Sequence, residues 1–199
     1  VLPYMEDAAQ KTRAQDELPQ SAGGRTITTT EPKFIPQEAV ELKLAGEVTI
    51  RVRLVDCVGF MVEGAAGHLE DGAERLVKTP WYDHEIPFTQ AAELGTRKVI
   101  TDHSTIGVVV TTDGSFSDLP QETYLDAENQ AISELKKLHK PFLVLVNSSH
   151  PSSRTAREAA ERIEKQHSVA AMPVNCAQLS EEDILSLIHI SEPTRPERI

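Results

Sequence analysis

From Glu47 to Val55 apolar and polar residues alternate: Val48, Ile50, Val52 and Leu54 on one face, Thr49, Arg51 and Arg53 on the other. That is the period of a half-buried strand. Val40 to Leu44 alternates likewise, and the short Ala45-Gly46 link makes the two strands a hairpin. Beyond this the pattern changes. Ile106 to Val110 and Phe142 to Val146 are solid apolar runs, and Val169 to Val174 is a weaker one. Helical periodicity fills the gaps: Thr89 to His103 through Ala92, Val99 and Ile100; Pro120 to His139 with Leu125, Ile132, Leu135 and Leu138 on one side; and Ser152 to His167. Ser180, with Asp183 three residues on, starts a further helix in the manner of a capping box. Residues 4–19 are polar and helix-compatible, residues 19–36 form a loop rich in Gly, Thr and Pro, and residues 60–88 read as irregular. Solid strands between amphipathic helices predict an α/β fold, a mostly parallel sheet with one antiparallel hairpin and helices on both faces.

Such sheets bind ligands at the carboxyl ends of their strands. Three tips therefore carry the candidate chemistry: Asp56-Cys57-Val58-Gly59, Thr111-Thr112-Asp113-Gly114 and Asn147-Ser148-Ser149-His150. Asp56 and Gly59 form D-x-x-G after a hydrophobic strand. In phosphate-hydrolysing switch proteins this aspartate holds magnesium through water and the glycine N–H meets the terminal phosphate; only glycine lets the backbone approach so closely. A plain turn cap gives the same four letters. The Thr26–Thr30 run, just ahead of the hairpin, lies where a switch threonine would reach magnesium and the terminal phosphate. Loop, hairpin and D-x-x-G in that order distinguish a switch from a solvated threonine run. Asn147 stands where guanine-specific proteins carry N-K-x-D, but Ser148 and His150 replace the lysine and the guanine-selecting aspartate. The choice tilts toward ATP, with a loop-stabilising role for Asn147 as the bland alternative.

A net charge of -11 over 199 residues disfavours nucleic acid and anionic membranes as direct partners. No apolar stretch spans a bilayer, and no signal peptide is evident. Cys57 and Cys176 fit no disulfide framework, and the seven scattered histidines predict no structural metal. A phosphate loop, G-x-x-x-x-G-K-[ST], is expected ahead of the threonine run. Gly23-Gly24-Arg25-Thr26 is the nearest approach and follows no buried strand. We expect the first strand and its phosphate loop to lie upstream of Val1, and the chain alone to be inactive.

Longer stretches carry a resemblance: R-A-Q-D-E-L-P-Q-S-A at 13–22, T-T-E-P-K-F at 29–34, R-L-V-D-C-V-G-F at 53–60, A-A-E-L-G-T-R-K-V-I at 91–100, H-S-T-I-G-V-V-V-T-T-D-G at 103–114 and K-P-F-L-V-L-V-N-S at 140–148. These resemble the stage IV sporulation protein A family, over about residues 1–187. The resemblance implies a P-loop NTPase domain of the translation-factor-like GTPase class. It also implies ATP hydrolysis that drives self-assembly of the spore coat basement layer around the forespore, in the mother-cell cytoplasm. It maps the family's switch threonine onto Thr29 and Thr30, as catalytic and magnesium-side residues. The magnesium-side aspartate maps onto Asp56, which with Gly59 and Asn147 makes the nucleotide site. ATP and Mg2+ are the implied cofactors. The implied partners are further copies of the protein, coat proteins and a small amphipathic membrane peptide, the last two through regions beyond this chain. A structural coat protein with a degenerate nucleotide site and a GTPase are the competing expectations.

Residues 188–199 depart from that family and resemble translated sequencing-adapter DNA; Pro193 and Pro196 interrupt the helix begun at Ser180. Trp81 and Tyr82 read as packing or assembly contacts, Cys57 as a small core residue, and His103 and His150 as loop structure.

Overall fold

The computed structural model describes residues 7–16, 33–44, 48–65, 67–116, 118–180, 182–184 and 186–187. Thr29, Thr30 and the segment 188–199 lie outside the described residues. The chain divides into two compact units. One comprises Val1–Gly59 and Ala65–His103, the other Phe60–Gly64 and Ser104–Ile199.

In the first unit, α1 (Ala8–Asp16) begins at Asp7, whose Oδ1 accepts from the Ala9 N–H at 2.8 Å. β1 (Lys33–Leu44) then pairs antiparallel with β2 (Val48–Asp56), with Lys33 opposite Asp56 and Leu44 opposite Val48. The hairpin follows the sequence pattern, but β1 starts seven residues earlier than its alternation suggests. A register shift between Ile35 and Val40 explains the difference. The extra residues on β1 include a proline, which has no N–H for the ladder and is tolerated at such a bulge.

The segment 60–88, expected to be irregular, contains two short antiparallel pairs. β3 (Leu69–Glu70) pairs with β4 (Ala73–Glu74), and β5 (Leu76–Val77) with β6 (Ile86–Pro87). Two residues per strand are too few for alternation to register. The Asp71-Gly72 turn was nonetheless a readable signal. Both residues have positive φ, 51° and 80°, as a tight hairpin turn requires.

α2 (Phe88–Lys98) buries Phe88, Ala91, Ala92, Gly95 and Thr96, a stripe at helical spacing, and runs on into a π-helical turn at Val99–His103. Around it, Lys98 lies over the Trp81 ring at 5.6 Å, Arg75 over Phe88 at 4.1 Å, and His103 meets Phe34 edge-on at 5.3 Å. Trp81 is thus a packing residue, as the sequence suggests, whereas His103, expected in a loop, ends the π-helical turn with its exposed ring against Phe34.

The second unit is a parallel three-stranded sheet, β7 (Gly107–Thr112), β8 (Phe142–Asn147) and β9 (Ala171–Val174), in that spatial order. α3 (Leu125–Lys137) links the first two strands and α4 (Arg154–His167) the last two. α4 is capped by Ser153, whose Oγ accepts from the Ala156 N–H at 3.1 Å. β8 is central, and Leu143, Val144, Leu145 and Val146 are all buried, which is why its sequence shows no alternation.

The two long helices share one face. Glu128 of α3 accepts from Thr111 Oγ1 on β7 at 2.8 Å and takes both nitrogens of Arg162 on α4, at 2.8 and 3.1 Å. Gly107 permits the close fit, since a Cβ there would stand 2.7 Å from Leu135. On the opposite face Leu143, Leu145 and Val174 gather Met172, Cys176, Leu179 and Leu187. Among the described residues, this cover lies over β8 and β9. Val108 and Val110, in register with Leu143 and Leu145, stay 52% and 59% exposed. No described helix is long and apolar enough to cross a membrane.

Candidate functional site

The D-x-x-G turn sits in the first unit. β2 delivers Asp56 at its last residue, opposite Lys33. Asp56 is exposed at the strand end, yet partial desolvation raises its carboxyl above the ordinary aspartate value, against the lowering pull of the Cys57 backbone N–H and the Lys33 charge. The chain then turns through Gly59 at φ +83°. A Cβ built there would meet nothing within 4 Å. Glycine is therefore required by backbone conformation, and the space beside it is open.

Both backbone groups of Gly59 are engaged. Its N–H donates to Thr96 Oγ1 at 3.1 Å, and the Thr96 hydroxyl lies 3.2 Å from its carbonyl oxygen as a donor. The Cys57 thiol, raised mainly by burial, is also hydrogen-bonded to Thr96. A single buried hydroxyl on α2 thus ties together the whole turn. Nothing local in the sequence marks it: Thr96 is one residue in an otherwise ordinary amphipathic stripe.

The other two tips meet in the second unit. Ser148, fully buried, donates its hydroxyl to Asp113 Oδ2 at 2.6 Å, and its N–H bonds the Val174 carbonyl at 2.8 Å. Asp113 Oδ1 accepts from the Ser115 N–H at 3.0 Å and from its hydroxyl at 2.5 Å. Ser115 Oγ in turn accepts from the Ser149 N–H at 2.9 Å, and Ser148 Oγ accepts from the His150 N–H at 3.0 Å. Burial alone would raise the Asp113 carboxyl. The hydrogen bonds from Ser115 and Ser148 overcome it and hold the group below the usual carboxylate range.

Asp113 is therefore a carboxylate committed to bracing the β7 and β8 tips, a role not assigned from sequence. Asn147 has a structural task as well: its Oδ1 accepts from the Cys176 N–H at 3.0 Å, fixing the loop after β9. His150 is exposed and its Nδ1 lies 2.9 Å from Ser149 Oγ.

Of the site residues expected from sequence, Asp56 and Gly59 lie together on one turn of the first unit, and Asn147 lies at a strand tip of the second. Thr29 and Thr30 fall outside the described residues. Among the described residues no group of three or more His, Cys, Asp or Glu gathers to hold a metal. Asp56 alone suits a different mode: magnesium keeps most of its water and binds proteins through one or two carboxylates plus substrate phosphates.

Comparison with known proteins bears on what this geometry serves. Residues 1–191 match the family model described as stage IV sporulation protein A, ATPase domain. The stage IV sporulation protein A of Clostridioides difficile (strain 630) is 47% identical over 184 residues, 92% of this chain. That of Bacillus subtilis (strain 168) is 44% identical over 188 residues, and that of Bacillus anthracis 43% over 188, each covering 94% of this chain. The chain spans 38% of the length of each of these relatives. No solved structure matches. On the strength of the family match and these identities, the chain belongs to the stage IV sporulation protein A family, in its ATPase domain.

Proposed function

We propose that this chain is the nucleotide-hydrolysing part of a larger sporulation protein, one that binds ATP with magnesium and couples hydrolysis to self-assembly of the coat basement layer at the forespore surface. The observation that carries the reading is the turn at the end of β2. It presents one carboxylate, Asp56, and a glycine at φ +83° with open space beside it, in a family whose model is described as an ATPase domain. The relatives' shared name is the basis for a role in sporulation.

The finer fold reading is a P-loop NTPase. It is supported by the hairpin ahead of the parallel sheet and by the gathering of polar residues at the strand tips. It is also supported by the outer edge of β7, which pairs with no strand among the described residues. A strand carrying a phosphate loop would add there. In this reading Asp56 holds the hydrated magnesium, with Thr29 or Thr30 as its second protein ligand. The metal, when bound, neutralises phosphate charge. Gly59 donates its N–H to the terminal phosphate, and the Asn147 loop borders the base. ATP is favoured over GTP because Ser148 and His150 stand where guanine-specific proteins carry the lysine and aspartate of N-K-x-D. Coat proteins and a small amphipathic membrane peptide would dock through other regions of the protein.

A second reading has one observation in its favour. Gly59 N–H and Asn147 Oδ1 are both engaged within the chain, as they would be in a coat protein with a degenerate site that assembles without nucleotide. Nucleotide competition and hydrolysis assays on the intact protein separate the readings. The ATPase reading expects ATP to outcompete GTP. It also expects the double variant Thr29→Ala/Thr30→Ala to bind ATP but hydrolyse it at least ~10-fold more slowly, as loss of a transition-state contact does. Normal hydrolysis by that variant removes the threonine assignment. Assembly at equal rate with and without ATP favours the degenerate coat protein.

A further inference from the structure

Resting on the ATPase reading, we infer that Thr96 is a latch on the switch glycine: it holds the Gly59 N–H and must surrender it when a terminal phosphate arrives. Gly59 N–H can donate strongly to one acceptor at a time. Thr96 Oγ1 takes it at 3.1 Å, with the Cys57 sulfur beside it as a weaker acceptor. The hydroxyl is placed to return a hydrogen bond to the Gly59 carbonyl at 3.2 Å, so the peptide is gripped from both sides.

Thr96 itself is 5% exposed, on the buried stripe of α2. Released from Gly59, its hydroxyl would keep Cys57 as a partner. Gly59 lies at φ +83° with nothing within 4 Å of a built Cβ, so it has room to rotate and a ligand has room to approach. A nucleotide lacking the terminal phosphate offers Gly59 no competing acceptor and leaves the grip intact. Thr96 is thus a positioning residue: it sets the difference in affinity between nucleoside tri- and diphosphate through Gly59, without touching either.

The test uses the intact protein with Thr96→Val, which keeps the shape and removes the hydroxyl, and Thr96→Ser, which keeps the hydroxyl. Two readouts are taken. Amide hydrogen exchange without nucleotide, over the peptide covering residues 56–60, is expected to quicken in Thr96→Val and to match wild type in Thr96→Ser. Affinity for a non-hydrolysable ATP analogue is expected to tighten about three- to ten-fold in Thr96→Val, the worth of one hydrogen bond that no longer has to be broken. ADP affinity stays unchanged, and Thr96→Ser restores the wild-type ratio. Unchanged exchange in Thr96→Val overturns the latch. So does an equal change in ATP-analogue and ADP affinity, which is the mark of general loosening. If the wild-type protein binds neither nucleotide, the ATPase reading falls and Thr96 is reduced to a turn-holding residue.

Discussion

Asp56 carries a cost that its proposed task explains. Its carboxyl is raised by desolvation in the folded chain. A folded-state acid with a raised pKa contributes stability below the ordinary value of 3.8 and loses it as the pH climbs through the folded value. At neutral pH the charged form therefore works against folding, and Asp56→Asn relieves it. The side chain is exposed, so the gain is small. The expected result is a higher midpoint at pH 7, no difference below pH 3.8, and loss of ATP hydrolysis in the intact protein. Scanning calorimetry across pH beside a hydrolysis assay checks both halves. A variant destabilised at pH 7 would give Asp56 a structural role instead. Asp113 titrates in the opposite sense: its hydrogen bonds to Ser115 and Ser148 are at full strength at neutral pH and weaken as acid protonates it.

At the scale of elements, a buried ion pair joins α3 to α4, beside the bonds of Asn129 to Gln166 and His167. The Glu128 side chain is 1% exposed and Arg162 is 32% exposed. Removing one partner strands a buried charge, which costs about 3–5 kcal/mol where both partners are buried. Arg162 reaches water, so about 2–3 kcal/mol is expected for Arg162→Met. Replacing both, as Glu128→Leu/Arg162→Met, should recover more than half of that loss, as chemical denaturation of the four chains would reveal in a double-mutant cycle. An additive cycle would mean that the two side chains act independently.

Neither residue was readable as part of a pair. Glu128 falls on the polar side of a helical pattern, and sequence does not say which acidic residue a neighbouring helix will cover. The elements themselves were legible because burial writes a period into them: β7, β8, α3 and α4 lie where the apolar runs and stripes put them. β1 was half hidden by its bulge. The site divided in the same way. Asp56 and Gly59 follow from their position after a strand. Thr96, Asp113 and the true duty of Asn147 depend on contacts between segments at least 29 residues apart, which leave no local trace.

At the scale of the molecule, the proposed nucleotide-facing residues belong to two compact units, Asp56 and Gly59 in one and Asn147 in the other. Since the chain spans 38% of its relatives, the proposed coupling of the site to assembly is tested in the intact protein.

The exposed valines of β7 carry a practical consequence for anyone purifying this chain. A strand edge that pairs with no strand among the described residues, with Val108 and Val110 half bare beside Ile106 at 43% exposure, is a template onto which another molecule's strand can add. We expect the isolated chain to come off a sizing column as concentration-dependent aggregates that ignore ATP, a trap for anyone scoring polymer growth by turbidity. A single lysine at the bare edge, Val110→Lys, acts as a gatekeeper and should return it to a monodisperse species. Light scattering that is the same for both chains would show that some other surface makes it sticky.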